Sequence, residues 1–517
     1  MYDLIIKNGM VLDGTGKEGY IADIGIKNGK ISKIDADLTD AANVIDATGL
    51  AVTPGFIDSH SHADNKILQF PEQTEKLQQG ITTSVAGQCG GSIAPAFDSK
   101  ASQETVFGDA SLICRTMKDF ISAMEPHNIG ANMVPFVGHG TVRRAVMGYS
   151  DRAPSDAEME QMLTILRDSF DAGAGGLSFG LFYAPGCYAS TEEAVAFAKI
   201  AAEYKRPVSA HIRGEGDTLV EAVEEFISII RQSGARGVLS HHKVVRKHNW
   251  GNVHKTVALL RQAVKEGVDI YCDLYPYCAS STTLSQAFVP SSWRADGTNM
   301  LLQRIADPDL YKQNRERFFT INAPTLDWIL VNSCPGHPEY EGMTVDKIAE
   351  LHGKDDYDTA MDLIVDSKDK ASACFFTVSE DDLKHVLSWD RTMICTDSGM
   401  TSANKRNHPR MIGSFPRVIG RYVREQKLVA LPEMIRRMTT LPAHVYGLEQ
   451  KGSIKEGFDA DICIFDPETF HNPSDFINCR QQTVGLNYVL VSGQVAVENG
   501  IFNGTKQGKI INKEAAE

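Results

Sequence analysis

The chain has 517 residues, of which 42% are hydrophobic and 23% charged, and its formal net charge at pH 7 is −14. This length exceeds what one ordinary compact core accommodates, and the composition is typical of a globular protein. A net negative charge without a basic cluster argues against a nucleic-acid-binding protein.

The beginning of the chain passes directly into an alternating strand pattern and lacks the basic-then-apolar form of a signal peptide. No apolar run is long enough to cross a bilayer, so we expect no membrane partner. The ten cysteines are scattered without paired spacing. We therefore expect a cytoplasmic protein whose cysteines are mostly reduced.

Both ends of the chain predict short strands joined by turns. Residues 1–54 contain the hairpin-type dipeptides Asn8-Gly9 and Asn28-Gly29 between alternating apolar positions. Residues 449–517 show the same alternation, most clearly over residues 484–500. Because neither end has enough apolar residues for its own core, we expect both to pack together as one small β-sandwich.

Residues 55–448 alternate short apolar strands with amphipathic helical patterns. This alternation is typical of parallel βαβ units, and eight of them predict an α/β fold of the TIM-type (β/α)8 barrel class. A barrel of this kind has its active site at the C-terminal ends of the strands. A strand-like run at residues 373–378 makes nine candidates for eight places. The other candidate strands end at His62, Cys89, His139, Gly180, His211, Lys243, Tyr277 and Asp397.

Residues 285–350 interrupt this alternation with several proline-containing turns, such as Val289-Pro290 and Cys334-Pro335-Gly336. An insertion at this position would hang over the mouth of the barrel. We predict a lid-like insertion; the alternative is a packed surface subdomain without a functional role.

The most informative motif is the apolar run at residues 54–62, which ends in His60 and His62. Alternate side chains of a strand share one face, so both imidazoles point the same way. Cys89 ends a second apolar strand, and zinc accepts thiolate and imidazole ligands together. Taken alone, a His-x-His pair is often merely exposed, and a single cysteine is usually a small core residue.

Three further strand ends carry residues of the same kind. His211 ends an apolar run, and the next strand ends in the adjacent histidines His241 and His242. Adjacent strand residues face opposite ways, so we predict that His241 and Lys243 enter the site and that His242 packs outward. Asp397 follows another apolar run. A buried carboxylate there requires a partner such as a metal; the alternative is a turn or helix-capping aspartate.

These residues together resemble the amidohydrolase superfamily and, within it, the N-acyl-D-amino-acid deacylase (D-aminoacylase) family. The resemblance covers nearly the whole chain. Cys89 is its most specific feature, because related hydantoinases and dihydroorotases typically bridge two metals with a carboxylated lysine. The matching segments are His60-Ser61-His62 and residues 87–95, 176–181, 211–213, 240–243, 273–277 and 408–417.

The resemblance implies zinc-dependent hydrolysis of the amide bond of small-molecule N-acyl-D-amino acids, giving a carboxylate and a free D-amino acid. It implies one tightly held zinc ion and a second, weaker metal position, and it makes Asp397 the catalytic base. The tight zinc ligands would be Cys89, His211 and His241. The second position would be formed by His60, His62 and Asp397.

The same resemblance implies that the substrate carboxylate is held by Lys243, Tyr275 and Arg410, with Ser281 as a weaker candidate. Two alternatives stay open at this point. One is another amidohydrolase, such as a hydantoinase- or dihydropyrimidinase-like cyclic-amide hydrolase or a deaminase. The other is a non-catalytic amidohydrolase-like scaffold.

Overall fold

The computed structural model describes residues 1–95, 114–294, 297–321, 325–401 and 406–513. Strands and helices are numbered here in chain order within those residues. The strands are β1 (Tyr2–Val11), β2 (Tyr20–Lys27), β3 (Lys30–Asp35), β4 (Ala41–Asp46), β5 (Ala51–Pro54), β6 (Phe56–Ser61), β7 (Ile81–Ala86), β8 (Asn132–Gly138), β9 (Gly176–Gly180), β10 (Val208–His211), β11 (Gly237–Leu239), β12 (Ile270–Leu274), β13 (Ser280–Thr283), β14 (Ile329–Ser333), β15 (Ser372–Phe375), β16 (Thr392–Ile394), β17 (Ile462–Phe465), β18 (Leu486–Val491), β19 (Gln494–Glu498) and β20 (Ile501–Phe502).

The helices alternate with the strands through the middle of the chain. Several begin with a side-chain cap; Ser155 and Glu158, for example, form a reciprocal capping box before the helix that starts at Asp156. A π-helical segment covers Val418–Glu425, and short 3₁₀ turns cover Ala63–Lys66, Gly186–Tyr188, Lys247–Asn249 and Pro338–Tyr340. The α-helices are α1 (Thr74–Leu77), α2 (Met117–Met124), α3 (His139–Met147), α4 (Asp156–Asp171), α5 (Thr191–Glu203), α6 (Leu219–Ser233), α7 (Asn252–Lys265), α8 (Leu284–Phe288), α9 (Ser291–Arg294), α10 (Thr298–Ala306), α11 (Pro308–Ile321), α12 (Val345–His352), α13 (Asp356–Asp366), α14 (Glu380–Leu387), α15 (Arg410–Arg417), α16 (Leu431–Met438) and α17 (Thr440–Val445).

Eight parallel strands form the barrel. Their hydrogen-bonded order is β6-β7-β8-β9-β10-β11-β12-β16. The first and last strands meet beyond their ends, where the Asp397 amide donates to the His60 carbonyl over 2.9 Å and the His62 amide donates to the Ser398 carbonyl over 3.2 Å. The residues of these strands are buried on both faces, which explains their continuous apolar runs. The prediction of a TIM-type barrel is confirmed.

The ninth strand candidate, residues 373–378, belongs to a separate small sheet. There β15 pairs antiparallel with both β13 and β14, outside the barrel. Helices α8 to α13 lie between β13 and β15 in the chain, and they enclose a second apolar core that includes Phe288, Leu326 and Tyr357. The small sheet therefore includes strands on both sides of residues 285–350.

The two ends of the chain join in one nine-stranded sheet, so the prediction that they pack together is confirmed. β17 pairs antiparallel with β5, which connects the late strands to the early ones. The sheet branches at β1, which pairs with β4 along its first half and with β5 along its second half. Gly9 marks the branch because a Cβ atom there would lie 2.4 Å from Val52 Cγ2. Across the described part of the chain, we find no helix with the length and apolar composition that a bilayer crossing requires.

Candidate active site

Four of the predicted metal ligands meet at the C-terminal ends of the barrel strands. They are Cys89, His60, His211 and His241. Cys89 Sγ lies 3.3 Å from His60 Nε2, 3.4 Å from His241 Nε2 and 3.7 Å from His211 Nδ1. His60 lies in β6, His211 ends β10, and His241 lies in the turn after β11. The barrel thus brings together residues that are up to 181 positions apart in the sequence, from His60 to His241.

The remaining two predicted ligands, His62 and Asp397, complete the cluster. Asp397 Oδ1 lies 3.2 Å from His62 Nε2 and 3.5 Å from His60 Nε2. The other carboxylate oxygen, Oδ2, accepts a 2.6 Å hydrogen bond from Arg410 Nη1. One Asp397 oxygen therefore faces the histidines, and the other is held by a buried guanidinium.

Backbone conformation aims three of these side chains into the barrel mouth. Cys89, His241 and Asp397 have φ angles of 54°, 35° and 45°, in the left-handed region that L-residues rarely adopt. Each lies two or three residues beyond the end of its strand, in a turn rather than in the strand itself. Such a conformation costs on the order of 1 kcal/mol per residue, and it is typical of sites where side-chain direction matters.

The charges within the cluster act on one another. Burial alone would raise the pKa of the Cys89 thiol, but the neighbouring His60 and His241 outweigh this effect and hold that pKa well below its usual range. Burial would likewise raise the pKa of Asp397, and Arg410 and His241 reverse the effect and hold it well below its usual range. The thiolate and the carboxylate, which are the metal-binding forms, are therefore favoured.

The donor set fits a zinc ion. The ligand atoms of His60, Cys89, His241 and Asp397 lie within 4.8 Å of one another. Sulfur, imidazole nitrogen and carboxylate oxygen are the donors that zinc accepts in proteins. The Nδ1 atom of His211 faces the Cys89 sulfur. Its other ring nitrogen, Nε2, is buried and has no hydrogen-bond partner among the described residues. An unpartnered buried ring nitrogen beside a close group of zinc-type donors fits a metal site.

A cavity of about 570 Å³ opens above the cluster, and all four predicted substrate-binding residues line it. The Arg410 guanidinium, at the start of α15, lies 4.5 Å from the Tyr275 ring centroid, and Lys243 Nζ lies 5.8 Å from the same centroid. The buried Tyr275 hydroxyl has no hydrogen-bond partner within the described residues, and burial raises its pKa to about 12. Ser281, in β13, accepts from Arg410 Nη2 through its carbonyl oxygen over 3.3 Å.

Comparison with known proteins identifies the family. The amidohydrolase family model matches residues 43–497. A D-aminoacylase from Alcaligenes xylosoxydans xylosoxydans is 32% identical over 519 aligned residues, which cover 100% of this chain and 98% of that protein. The chain belongs to the amidohydrolase family, in its D-aminoacylase group.

Two further proteins are also more than 30% identical to this amidohydrolase over nearly its whole length. An N-acyl-D-glutamate deacylase from Alcaligenes xylosoxydans xylosoxydans is 34% identical over 517 aligned residues, covering 99% of this chain and 97% of that protein. The crystal structure of an N-acyl-D-glutamate deacylase from Bordetella bronchiseptica holds zinc and a phosphonate inhibitor that mimics the tetrahedral intermediate of the reaction. It is 32% identical, with a TM-score of 0.84, and the match covers 99% of this chain and 100% of that one.

Glu215 is a member of the amidohydrolase site that the sequence analysis missed. Its Oε1 lies 2.6 Å from Lys243 Nζ and 3.0 Å from His241 Nδ1, and its Oε2 lies 3.8 Å from His211 Nε2. The carboxylate thus lies behind two of the imidazoles that face Cys89. Its position four residues after the strand-end histidine was the available signal.

A buried ion pair, also missed, supports the turn that carries Asp397. Lys76 Nζ donates to Asp58 Oδ2 over 2.8 Å, to Thr396 Oγ1 over 2.6 Å and to the Ser398 carbonyl over 3.0 Å. These contacts fix the residues on either side of Asp397. Asp58 lies within the His60 motif, where only the histidines were singled out.

The adjacent His241 and His242 face opposite ways. His241 faces Cys89, and Lys243 Nζ lies 3.0 Å from His241 Nδ1 on the same side. His242 points away, and its Nε2 contacts Thr256 Oγ1 over 2.9 Å. Burial lowers the His242 pKa to about 3, so this ring is neutral and structural.

Proposed function

We propose that this protein hydrolyses the amide bond of N-acyl-D-amino acids at a zinc site, giving a carboxylate and a free D-amino acid. One observation carries the proposal: the Cys89 sulfur lies within 3.7 Å of three imidazoles, in the cavity that Lys243 and Arg410 also line. The Tyr275 hydroxyl in the same cavity has no hydrogen-bond partner among the described residues. The names of the similar proteins support the N-acyl-D-amino acid as substrate.

Cys89, His211 and His241 would hold the tightly bound zinc, and His60, His62 and Asp397 would form the weaker second position. A zinc ion bound there would polarise the amide carbonyl and lower the pKa of a coordinated water toward neutrality. The depressed pKa of the Cys89 thiol supports this assignment, because only the thiolate is a good ligand.

Asp397 would act as the general base and acid. Its Oδ1 is turned away from Arg410 and toward the histidines, and this oxygen would accept the proton of the attacking water. Asp397 would then return that proton to the amide nitrogen as the carbon–nitrogen bond breaks. Asp397 is only 8% exposed, which limits its contact with bulk water.

Arg410, Lys243 and Tyr275 would bind the carboxylate of the amino-acid part, with Ser281 beside them. A guanidinium binds a carboxylate through two parallel hydrogen bonds, and the Tyr275 hydroxyl offers one more donor. Arg410 and Lys243 already contact Asp397 and Glu215. The substrate carboxylate would therefore share both cations with residues of the site.

We also propose the domain division expected from the sequence: a β-domain from residues 1–54 and 449–517, a catalytic barrel at 55–448 and a lid-like insertion around 285–350. Trp328 in the insertion and Phe375 in the following strand β15 line the cavity, which supports a covering role. Protection of the insertion from proteolysis by bound substrate analogue would test this; unchanged cleavage would contradict it.

A cytoplasmic location is the final part of the proposal. All ten cysteines are free, as expected in a reducing compartment. Recovery of the protein from an oxidising compartment in a fractionation experiment would contradict this location.

The experiment that tests the function starts from protein stripped of metal with a chelator. Release of free amino acid from N-acetyl-D-amino acids should be absent, and it should return on addition of zinc. No release with zinc would contradict the proposal. Faster hydrolysis of a hydantoin or dihydropyrimidine than of any N-acyl-D-amino acid would favour the cyclic-amide alternative instead.

A further inference from the structure

A second cavity, of about 330 Å³, borders the same cluster of predicted metal ligands. His62, Cys89 and Tyr183 line both this second cavity and the larger cavity described above. Lys243 and Arg410, which would bind the α-carboxylate of the substrate, line the larger cavity and not the second one. The cluster therefore adjoins two cavities, and the residues proposed to bind the amino-acid part belong to the larger one.

The second cavity lies where the acyl group of the substrate would extend. An N-acyl-amino acid runs in two directions from its scissile carbonyl carbon, with the amino acid on the nitrogen side and the acyl chain on the other side. With this carbonyl at the metal ligands and the α-carboxylate at Arg410, Lys243 and Tyr275, the amino acid occupies the larger cavity. The acyl chain is then directed away from those three residues, and the second cavity is the space beside Cys89 that they do not line.

Arg144, in α3, supplies the second cavity with a positive charge. It is the one arginine or lysine among the described residues that line this cavity, and none of those residues is an aspartate or glutamate. Its Nη1 donates to the Tyr149 hydroxyl over 3.4 Å, and its Nε is buried without a hydrogen-bond partner in the described chain. No described carboxylate lies within 4 Å of this guanidinium. A carboxylate ligand would therefore be the first negative charge to contact it.

The larger cavity differs from the second one in its charge balance. Each arginine or lysine among its described lining residues contacts a carboxylate at a distance between 2.6 and 3.4 Å. The uncompensated cation therefore lies in the second cavity. The pairs of the larger cavity are Arg213 with Glu225, Lys243 with Glu215, Arg246 with Asp217, and Arg410 with Asp397.

Gln88 gives the second cavity a further donor. This residue is 0% exposed, it lines the cavity, and its Oε1 accepts a 2.5 Å hydrogen bond from the Ser209 hydroxyl. Its Nε2 has no hydrogen-bond partner among the described residues. A buried amide donor without a partner is costly, so a ligand oxygen would stabilise it. The guanidinium and this amide are both donors, and a carboxylate is an acceptor at both of its oxygens.

The position of Arg144 favours an acyl chain of several atoms. Gly140, Thr141 and Arg144 line the cavity from one face of α3, because residues i, i+1 and i+4 of this set surround the same groove. The start of α3 lies against the residue after Cys89, where the Thr141 amide donates to the Gly90 carbonyl over 3.0 Å. A rise of 1.5 Å per residue places the Arg144 backbone about 6 Å further along the helix than Gly140. A succinyl or glutaryl group carries its terminal carboxylate across such a distance, and an acetyl group does not.

We propose that the second cavity binds the acyl group of the substrate, and that Arg144 and Gln88 bind a carboxylate at the end of that group. The enzyme would then favour N-acyl-D-amino acids with dicarboxylic acyl groups, such as succinyl and glutaryl. This inference rests on the proposed function, which provides the amide chemistry and the subsite for the α-carboxylate. It adds the chemical class of the acyl part, which the residues of the larger cavity do not determine.

The first test compares two acyl groups of nearly the same shape on the unmodified, zinc-loaded enzyme. The N-succinyl derivative of a D-amino acid ends in a carboxylate, and the N-succinamoyl derivative ends in the neutral amide. Both are made from the D-amino acid whose N-acetyl derivative is hydrolysed fastest. We expect kcat/KM to be about 10- to 100-fold higher for the succinyl derivative, because a hydrogen bond between charged groups is stronger than one to a neutral amide. Equal values would overturn the proposal.

The second test removes the guanidinium. Arg144→Met should bring the succinyl-to-succinamoyl ratio of kcat/KM to within about threefold of one, and Arg144→Lys should restore part of the preference, because it keeps the charge without the bidentate geometry. Arg246→Met is the matched control, since Arg246 lines the larger cavity with a side chain that is 30% exposed. This control should leave the ratio unchanged, and an equal fall in both methionine variants would overturn the role of Arg144. An unchanged ratio in Arg144→Met, with weaker inhibition by free acetate, would show that the guanidinium contacts only the released acid and would also overturn it.

The third test locates the acyl chain by filling each cavity in turn. Gly91 lines the second cavity, and a Cβ atom there would lie 3.7 Å from the Gln88 carbonyl oxygen, which is an ordinary contact. Gly216 lines the larger cavity, and a Cβ atom there would have its nearest neighbours at 3.6 Å. Gly91→Leu should lower kcat/KM for the succinyl relative to the acetyl derivative by about tenfold or more, because the added side chain occupies the space of the longer chain. Gly216→Leu should leave that ratio unchanged. The opposite result would place the acyl chain in the larger cavity and overturn the proposal.

The two proposals fail in different ways. Hydrolysis of N-acetyl-D-amino acids without a preference for succinyl over succinamoyl would refute the acyl subsite and leave the proposed function intact. No hydrolysis of any N-acyl-D-amino acid would refute the proposed function. If a substituted protein does not fold, the comparison of the succinyl and succinamoyl derivatives with the unmodified enzyme still decides the question.

Discussion

Replacement of Glu215 by glutamine tests how the metal ligands are held in place. The carboxylate contacts Lys243 at 2.6 Å and His241 at 3.0 Å, and its side chain is 12% exposed. Glutamine preserves the shape but removes the charge, so Lys243, which is 8% exposed, loses its counter-ion. Loss of one partner of a buried ion pair costs about 3–5 kcal/mol, so we expect the free energy of unfolding to fall by about 3 kcal/mol in this slightly exposed site.

The same substitution should weaken zinc binding by about 10- to 100-fold, because carboxylates behind metal-binding histidines orient the rings and raise their basicity. Chemical denaturation of the metal-free protein measures the first effect, and competition with a chelator measures the second. Asp217→Asn is the matched control: Asp217 lies two residues further in the same loop, and its side chain is 58% exposed. We expect this control to change stability by less than about 1 kcal/mol and to leave zinc affinity unchanged.

A double substitution separates the two effects. Adding Lys243→Met to Glu215→Gln removes the stranded charge, so stability should recover while zinc affinity stays low. Zinc affinity within twofold of the unmodified protein in Glu215→Gln would refute the reasoning, since it would show that the histidines keep their positions without this carboxylate.

Four further substitutions test other parts of the account. Cys89→Ala should abolish stoichiometric zinc binding, and full zinc occupancy by metal analysis would remove Cys89 from the ligand set. Asp397→Asn should keep the fold but lower kcat by about 10²–10⁴-fold, because a general base is lost; turnover within a few-fold of the unmodified enzyme would place the base elsewhere. Arg410→Ala should lower kcat/KM by about 100-fold or more on N-acyl-D-amino acids and much less on the matching amides, which have no carboxylate; equal losses would indicate a purely structural role. Lys76→Met should reduce the free energy of unfolding by about 3–5 kcal/mol, because it strands the buried Asp58 carboxylate; denaturation curves that overlay the unmodified protein would contradict this.

The barrel and its ligand cluster are predictable from the sequence because both depend on short-range rules. Buried parallel strands are continuous apolar runs, and polar residues at their C-terminal ends meet at one rim. This rule is sufficient to bring His60, Cys89, His211, His241 and Asp397 together. It does not tell a barrel strand from any other buried strand, so residues 373–378 matched the pattern equally well. Their antiparallel pairing in the insertion depends on contacts distant in the sequence.

The supporting residues are harder to predict because turns and side-chain pairings determine them. Glu215 lies in a loop with no periodic pattern, and its contacts with His211 and His241 exist only after two strands are aligned. The left-handed conformation of Cys89 and Asp397 has no sequence signal, since neither residue is glycine. Arg410 contacts Asp397 because helix α15 begins at Arg410, and the spacing of the two residues in the sequence does not indicate this contact.

The chirality of the product tests the central claim most directly. The zinc-loaded enzyme is given racemic N-acetylglutamate and, separately, racemic N-acetylleucine, and the released amino acid is resolved by chiral chromatography. The account predicts that the released amino acid is the D-enantiomer and that the L-substrate remains intact. Release of both enantiomers at similar rates, or of the L-enantiomer alone, would contradict it.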